Sequence, residues 1–181
     1  MEKYYMRQNY STDMGVNIVF DQTFQAAYLV SGRTGKAGDE LLVQDMRGEV
    51  LVRLRQISYG IIPRFVIAYR NQVIASISFN LAYFGDIIYV RRLAWVISGN
   101  FLNHRYNTYH STKKLLTVKP EARPDGLYNQ LTVTDSSDQV PVHIIIAALL
   151  DIWNTGFDTL SPRNWLTQYH FRLYPPTYRR D

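Results

Sequence analysis

Val142-His143-Ile144-Ile145-Ile146-Ala147-Ala148-Leu149-Leu150 is apolar on nearly every face. A helix of that kind is either surrounded by protein or embedded in lipid. Ser136-Ser137-Asp138-Gln139 precedes it, so a Ser or Asp supplies the cap, Pro141 fits the first turn, and Gly156 offers a stop. About fifteen residues at ~1.5 Å rise span roughly 22 Å, short of the ~30 Å of bilayer hydrocarbon. His143 and Asp151 near its two ends oppose a span further. The reading is a buried central helix with no transmembrane segment.

Outward from that helix, the preceding chain is a succession of short alternating runs broken by Gly, Pro, Asn and Asp, as in an antiparallel sandwich or barrel. Strands are expected at Tyr4 to Gln8, Val16 to Phe20, Ala26 to Ser31, Glu40 to Gln44, Val50 to Ile57, Arg64 to Tyr69, Val73 to Phe79, Ile87 to Arg92 and Trp95 to Gly99. Two or three more should follow before Asp135. Asp45-Met46-Arg47-Gly48 closes one hairpin, where Gly48 can take positive φ, and Arg70-Asn71-Gln72 closes the next. The fold class is therefore mainly β with one buried helix (α+β).

The chain has 181 residues, 46% of them hydrophobic, which suits one domain with a sizeable core. We read residues 1–156 as that domain and 157–181 as an aromatic and basic C-terminal extension. Phe157, Trp165, Tyr169, Phe171, Tyr174 and Tyr178 alternate there with Arg163, Arg172, Arg179 and Arg180. An ordered strap over the barrel and a docking tail both fit it. The absence of cysteine removes disulfides, thiolate metal sites and thiol chemistry. With no signal-like start, it leads to an expected cytoplasmic location, with a place peripheral to the membrane as an option. A formal charge of +5 favours an anionic contact without choosing its kind.

Several stretches carry a family resemblance. They are Tyr28-Leu29-Val30-Ser31-Gly32, Gly38-Asp39-Glu40-Leu41-Leu42-Val43-Gln44-Asp45 with Gly48, Pro63-Arg64-Phe65-Val66-Ile67, Val73-Ile74-Ala75-Ser76-Ile77 and the apolar helix. In this order the chain resembles the bacterial YxjI-like and plant LURP-one-related proteins of the tubby C-terminal-like superfamily, which also includes the phospholipid scramblases. The resemblance covers roughly residues 4 to 155. It implies a closed barrel of about twelve strands with the helix through its middle. A barrel that wide cannot be filled by its own wall side chains, so an apolar plug makes physical sense. Tubby proteins bind phosphoinositide headgroups on the barrel exterior and scramblases associate with bilayers. The tubby ligands do not align to definite positions here, and no binding residue is carried over.

Catalytic chemistry finds little support. Gly32-Arg33-Thr34-Gly35-Lys36-Ala37 has Val30 where a phosphate loop needs its first glycine and Ala37 where it needs a hydroxyl, and it lies between strands, as a mobile hairpin loop would. His104, His110, His143 and His170 are scattered; His104 and His110 could share a strand face, but two ligands do not make a zinc site. Asp135 and Asp138 are explained by capping rather than calcium. No G-x-S-x-G elbow is present. The expectation is a non-enzymatic domain without a cofactor.

Basic residues remain. Arg53 and Arg55 alternate with Val52 and Leu54, so both face outward, and Arg64 and Arg70 share a face of the next strand. These four form a candidate anionic-ligand patch with Arg33 and Lys36; Arg91, Arg92, Lys113 and Lys114 are possible extensions, although alternation sends Arg91 and Arg92 to opposite faces. Scattered solubilising charge is the plain alternative. The partner expected is an anionic membrane surface or an acidic protein, with nucleic acid ranked below them because the tyrosines are spread through strands. The competing readings are a protein-interaction module using the C-terminal tail, and a small-ligand carrier or unrecognised enzyme with a pocket at a barrel mouth.

Overall fold

Alternation of apolar and polar residues gives each strand one face for a core and one for water. In the computed structural model of the chain, residues 1–8, 16–58, 62–78, 87–134 and 136–159 are described, except for the side chains of 137 and 155–159. Twelve strands are present among them. They are β1 (Glu2–Arg7), β2 (Val16–Asp21), β3 (Ala26–Gly32), β4 (Glu40–Asp45), β5 (Val50–Ser58) and β6 (Arg64–Tyr69), then β7 (Gln72–Ser78), β8 (Ile87–Arg91), β9 (Trp95–Asn100), β10 (Arg105–His110), β11 (Lys113–Arg123) and β12 (Gly126–Val133). The nine strands named from the sequence appear within two residues of their expected ends, and three more complete the set.

Each strand pairs antiparallel with the next, and β1 pairs with β12 to close the barrel. Closure gives every strand two neighbours, the β7–β8 seam being the narrowest with Ser76 and Ile77 paired to Arg91 and Val90, and so limits the edge open to another chain. Turn chemistry sets the local register. Gly48 has φ 87°, and the Asp45 carboxylate accepts the amides of Arg47 and Glu49, both at 2.9 Å. Arg70 and Asn71, at φ 47° and 65°, form the tight two-residue reversal between β6 and β7.

Val43, Val52, Leu54, Phe65, Ile67 and Ile97 point inward and are completely buried. The helix α1 (Val140–Thr159), entered through a 3-10 turn at Ser137–Gln139, fills the space they enclose. Its residues 140–151 are all buried, and it packs against β3, β4, β5 and β12. Burial of each large aliphatic there is worth about 1.5–3 kcal/mol, so the plug and the wall stabilise one another. The helix passes through Gly156 rather than stopping at it. A glycine inside a helix costs only ~1 kcal/mol relative to alanine, which does not by itself end it. Among the described residues no helix is long and apolar enough to cross a membrane.

Strand direction defines two barrel ends. The helix enters where β12 finishes, and its last turns reach the opposite end, where β3, β5, β7 and β9 finish and β4, β6, β8 and β10 begin. That far end holds most of the candidate residues.

Candidate functional site

Arg53 and Arg55 project from the outer face of β5, because Val52, Leu54 and Gln56 between and beside them are buried inward. Glu40 stands opposite Arg55 in the β4–β5 register. The Arg53 guanidinium donates to the Glu40 carboxylate, and Arg55 Nε lies 3.9 Å from its other oxygen. Arg33 is held in the same way by Asp39, at 3.1 Å. Three of the six expected cations thus already have an acidic partner.

Lys36 and Arg64 make no ion pair among the described residues. Lys36 lies in the β3–β4 connection, which is pinned rather than loose. Gly35 donates to the Gln56 side chain and Gly38 to the Gln56 carbonyl, both at 2.8 Å, and the Lys36 amide donates to Asp39 at 2.9 Å. Arg64 opens β6 at the same end of the barrel. Arg70 does not join this group. It sits in the β6–β7 turn with its guanidinium 5.2 Å from the centre of the Tyr69 ring. Six residues of extended chain separate it from Arg64, roughly 20 Å along the barrel.

Arg91 ends β8 opposite Ser76, whereas Arg92 lies in the following turn at φ 71° and donates to the Val73 carbonyl at 3.4 Å. Both are exposed, because the turn abolishes the alternation expected to separate them. Lys113 and Lys114 begin β11 at the entry end, away from the far-end cations. Next to Arg55 and Arg64, Ile57 and Ile62 are 51% and 48% exposed. The far end therefore combines cations with accessible aliphatic side chains.

A second arrangement was not legible in the sequence. Asp151 on the helix is fully buried, and Asn129 on β12 donates to it at 2.9 Å while accepting from Gln8 at 2.9 Å. His104 Nδ1 lies 3.4 Å from the same carboxylate. Asn154 donates to the Leu102 carbonyl at 3.2 Å and sits 2.8 Å from His104 Nε2. An amide donating to Nε2 leaves the proton on Nδ1, facing Asp151. The Tyr106 phenol is buried nearby, and burial, followed by the Asp151 charge, pushes its pKa well above the ordinary tyrosine range.

His104 is in a turn at φ 51°, and His110 ends β10 at the other end of the barrel, so they do not share a strand face. Among the described residues no three His, Asp or Glu side chains are grouped to hold a metal. The cluster brings a histidine, a carboxylate and the buried Tyr106 phenol together, and its bonds tie the helix to the barrel mouth. His143 is also internal, stacked on Trp95 with ring centres 4.6 Å apart. The extension beyond residue 159, His170 included, lies outside the described residues.

No protein-family model matches the chain, and a search of curated proteins finds no match. Among solved structures, an X-ray structure of a protein from Arabidopsis thaliana is similar, with a TM-score of 0.52 at 11% identity. The match covers 85% of this chain and 91% of that one. At this identity the likeness shows a shared fold and nothing of function.

Proposed function

We propose that the chain is a non-enzymatic binding domain of tubby-like form whose far barrel end meets an anionic phospholipid surface. The observation that carries this reading is the placement of exposed Ile57 and Ile62 beside Arg55 and Arg64, with Lys36 on the same rim. Cations draw a protein to anionic headgroups at roughly 1 kcal/mol each near the surface, and shallow aliphatic contact adds to that attraction. An acidic protein would use the cations but would have less use for isolated isoleucines around them. The helix-filled interior supports a role on the outside of the barrel.

Co-sedimentation with phosphatidylcholine vesicles, with and without phosphatidylserine, tests the proposal. Binding is expected only with the anionic lipid and should fall about tenfold or more in Lys36→Glu with Arg64→Glu, since each reversal changes the local charge by two. Equal binding of that variant, with its fold intact by circular dichroism, would remove the assigned surface.

A further inference from the structure

We infer that the outer face of β6, β7 and β8 carries a phosphoryl-binding subsite built from Arg64, Ser78, Ser76 and Arg91. The inference deepens the anionic-surface reading and rests on it for the lipid source of the phosphate. Register places the four residues together. Arg64 stands directly opposite Ser78 across the β6–β7 pair, and Arg91 directly opposite Ser76 across the β7–β8 pair. All four point outward, since Phe65, Ala75, Ile77 and Val90 between and beside them are buried inside the barrel.

Two arginines therefore flank one strand whose outward residues between them are serines. The flanking strands are about 10 Å apart, twice the ~4.8 Å strand spacing, and the two arginines are offset by two residues along them. Two long side chains on either side of short hydroxyl side chains are within reach of one shared anion, which makes a shallow cradle. A phosphoryl group has enough acceptor oxygens to take a forked pair of bonds from each guanidinium and further bonds from the serines. A carboxylate, with two oxygens, cannot fill the same donor set.

Placement on either side of the serines, more than the lack of an ion pair that Arg47 and Arg70 share among the described residues, separates these two from ordinary surface charge. Arg33, Arg53, Arg55 and Arg123 are each within 4.0 Å of a carboxylate. Arg64 and Arg91 make no ion pair among the described residues, and both are exposed. Ile87 and Tyr89, 68% and 51% exposed, border the cradle on β8 and offer apolar contact for a headgroup held in a bilayer.

The shared chemistry is a phosphomonoester, from a lipid headgroup or from a soluble phosphate. Two arms separate these sources. Vesicles of phosphatidylcholine with phosphatidic acid, and with phosphatidylserine at matched surface charge, report the lipid. Inorganic phosphate, titrated while the amide resonances of Ser76, Ser78 and Arg91 are followed, reports the soluble ligand. Phosphatidic acid is expected to bind about tenfold more tightly than phosphatidylserine, a difference of ~1.4 kcal/mol.

Ser76→Ala with Ser78→Ala, and separately Arg91→Gln, should bring that ratio close to one. Arg47→Gln, which removes the same charge at the β4–β5 turn, should keep it. Phosphate-induced shifts at Ser76, Ser78 and Arg91 without vesicle binding would uphold the subsite with a soluble ligand and remove the membrane reading. Equal binding of the two vesicle types with no response to phosphate would overturn the subsite, whether or not the anionic surface itself binds. So would a preference that survives the serine and arginine variants.

Discussion

His104 Nδ1 lies 3.4 Å from the Asp151 carboxylate, joining the β9–β10 turn to the helix inside the barrel. The Asp151 side chain is 0% exposed and that of His104 is 14% exposed, so the pair is sheltered from water. Removing the imidazole leaves a buried carboxylate with a lost partner. His104→Ala is therefore expected to cost about 3 kcal/mol, while Asp151→Asn, which removes the charge itself, should cost about 1–2 kcal/mol. Urea unfolding of both single variants and the double variant measures this, and the double loss should be smaller than the sum.

The plug gives a second prediction. Ile145 is completely buried between helix and wall, and Ala148 is 1% exposed. Ile145→Ala should lose about 2–5 kcal/mol through lost burial and a residual cavity, and Ala148→Leu about 1–3 kcal/mol through overpacking. Denaturant midpoints would register both. A plug loosely seated in a wide barrel would tolerate the larger side chain without loss.

Backbone geometry distinguishes two glycines. A Cβ at Gly99, where φ is 140°, would lie 2.4 Å from the Arg105 carbonyl oxygen and 2.6 Å from the Tyr106 Cα. At Gly48, with φ 87°, it would meet nothing within 4 Å. Gly48→Ala should cost only the ~1–2 kcal/mol of an unfavourable φ, whereas Gly99→Ala must also shift β10 and should lower the melting temperature far more.

Tyr106 predicts an alkaline limit. Burial and the neighbouring Asp151 raise its phenol pKa above the unfolded value of about 10. The folded state then keeps a proton that the unfolded state releases, so this contribution is complete below about pH 10 and is lost as pH rises beyond it. Stability of the wild-type protein should fall across that range, and Tyr106→Phe should fall less steeply. Parallel slopes from pH 9 to 11 in urea unfolding would show that Tyr106 does not titrate in this way.

Local pattern carried most of the architecture. Alternation marked β4 to β7, and the apolar run at residues 142–150 marked the only α-helix among the described residues. Glu40 as the partner of Arg53 and Arg55 was one residue short of legible, because counting back from Gln44 opposite Val50 places residue 40 opposite residue 54, and a bulge between Val43 and Gln44 moves it to residue 55. His104 and Asp151 had no signal at all. They are far apart in sequence, and they meet only because the helix runs back through the barrel and the β9–β10 turn folds over its end. The Arg64, Ser78, Ser76 and Arg91 grouping was equally hidden, since the β7–β8 register cannot be counted across a long connection. The separation of Arg70 from Arg64 follows from strand length, which alternation alone does not weigh.

The salt dependence of binding to vesicles containing phosphatidylserine tests the central claim most directly. Charges exposed at a barrel rim are screened over about 10 Å at ~0.1 M salt, so affinity should be highest at low ionic strength and fall steeply toward ~0.5 M. Ile57→Ser with Ile62→Ser should weaken binding to the anionic vesicles and leave its salt dependence in place. Absence of binding at low salt, or binding to neutral and anionic vesicles alike, would contradict an anionic membrane surface as the partner of this barrel.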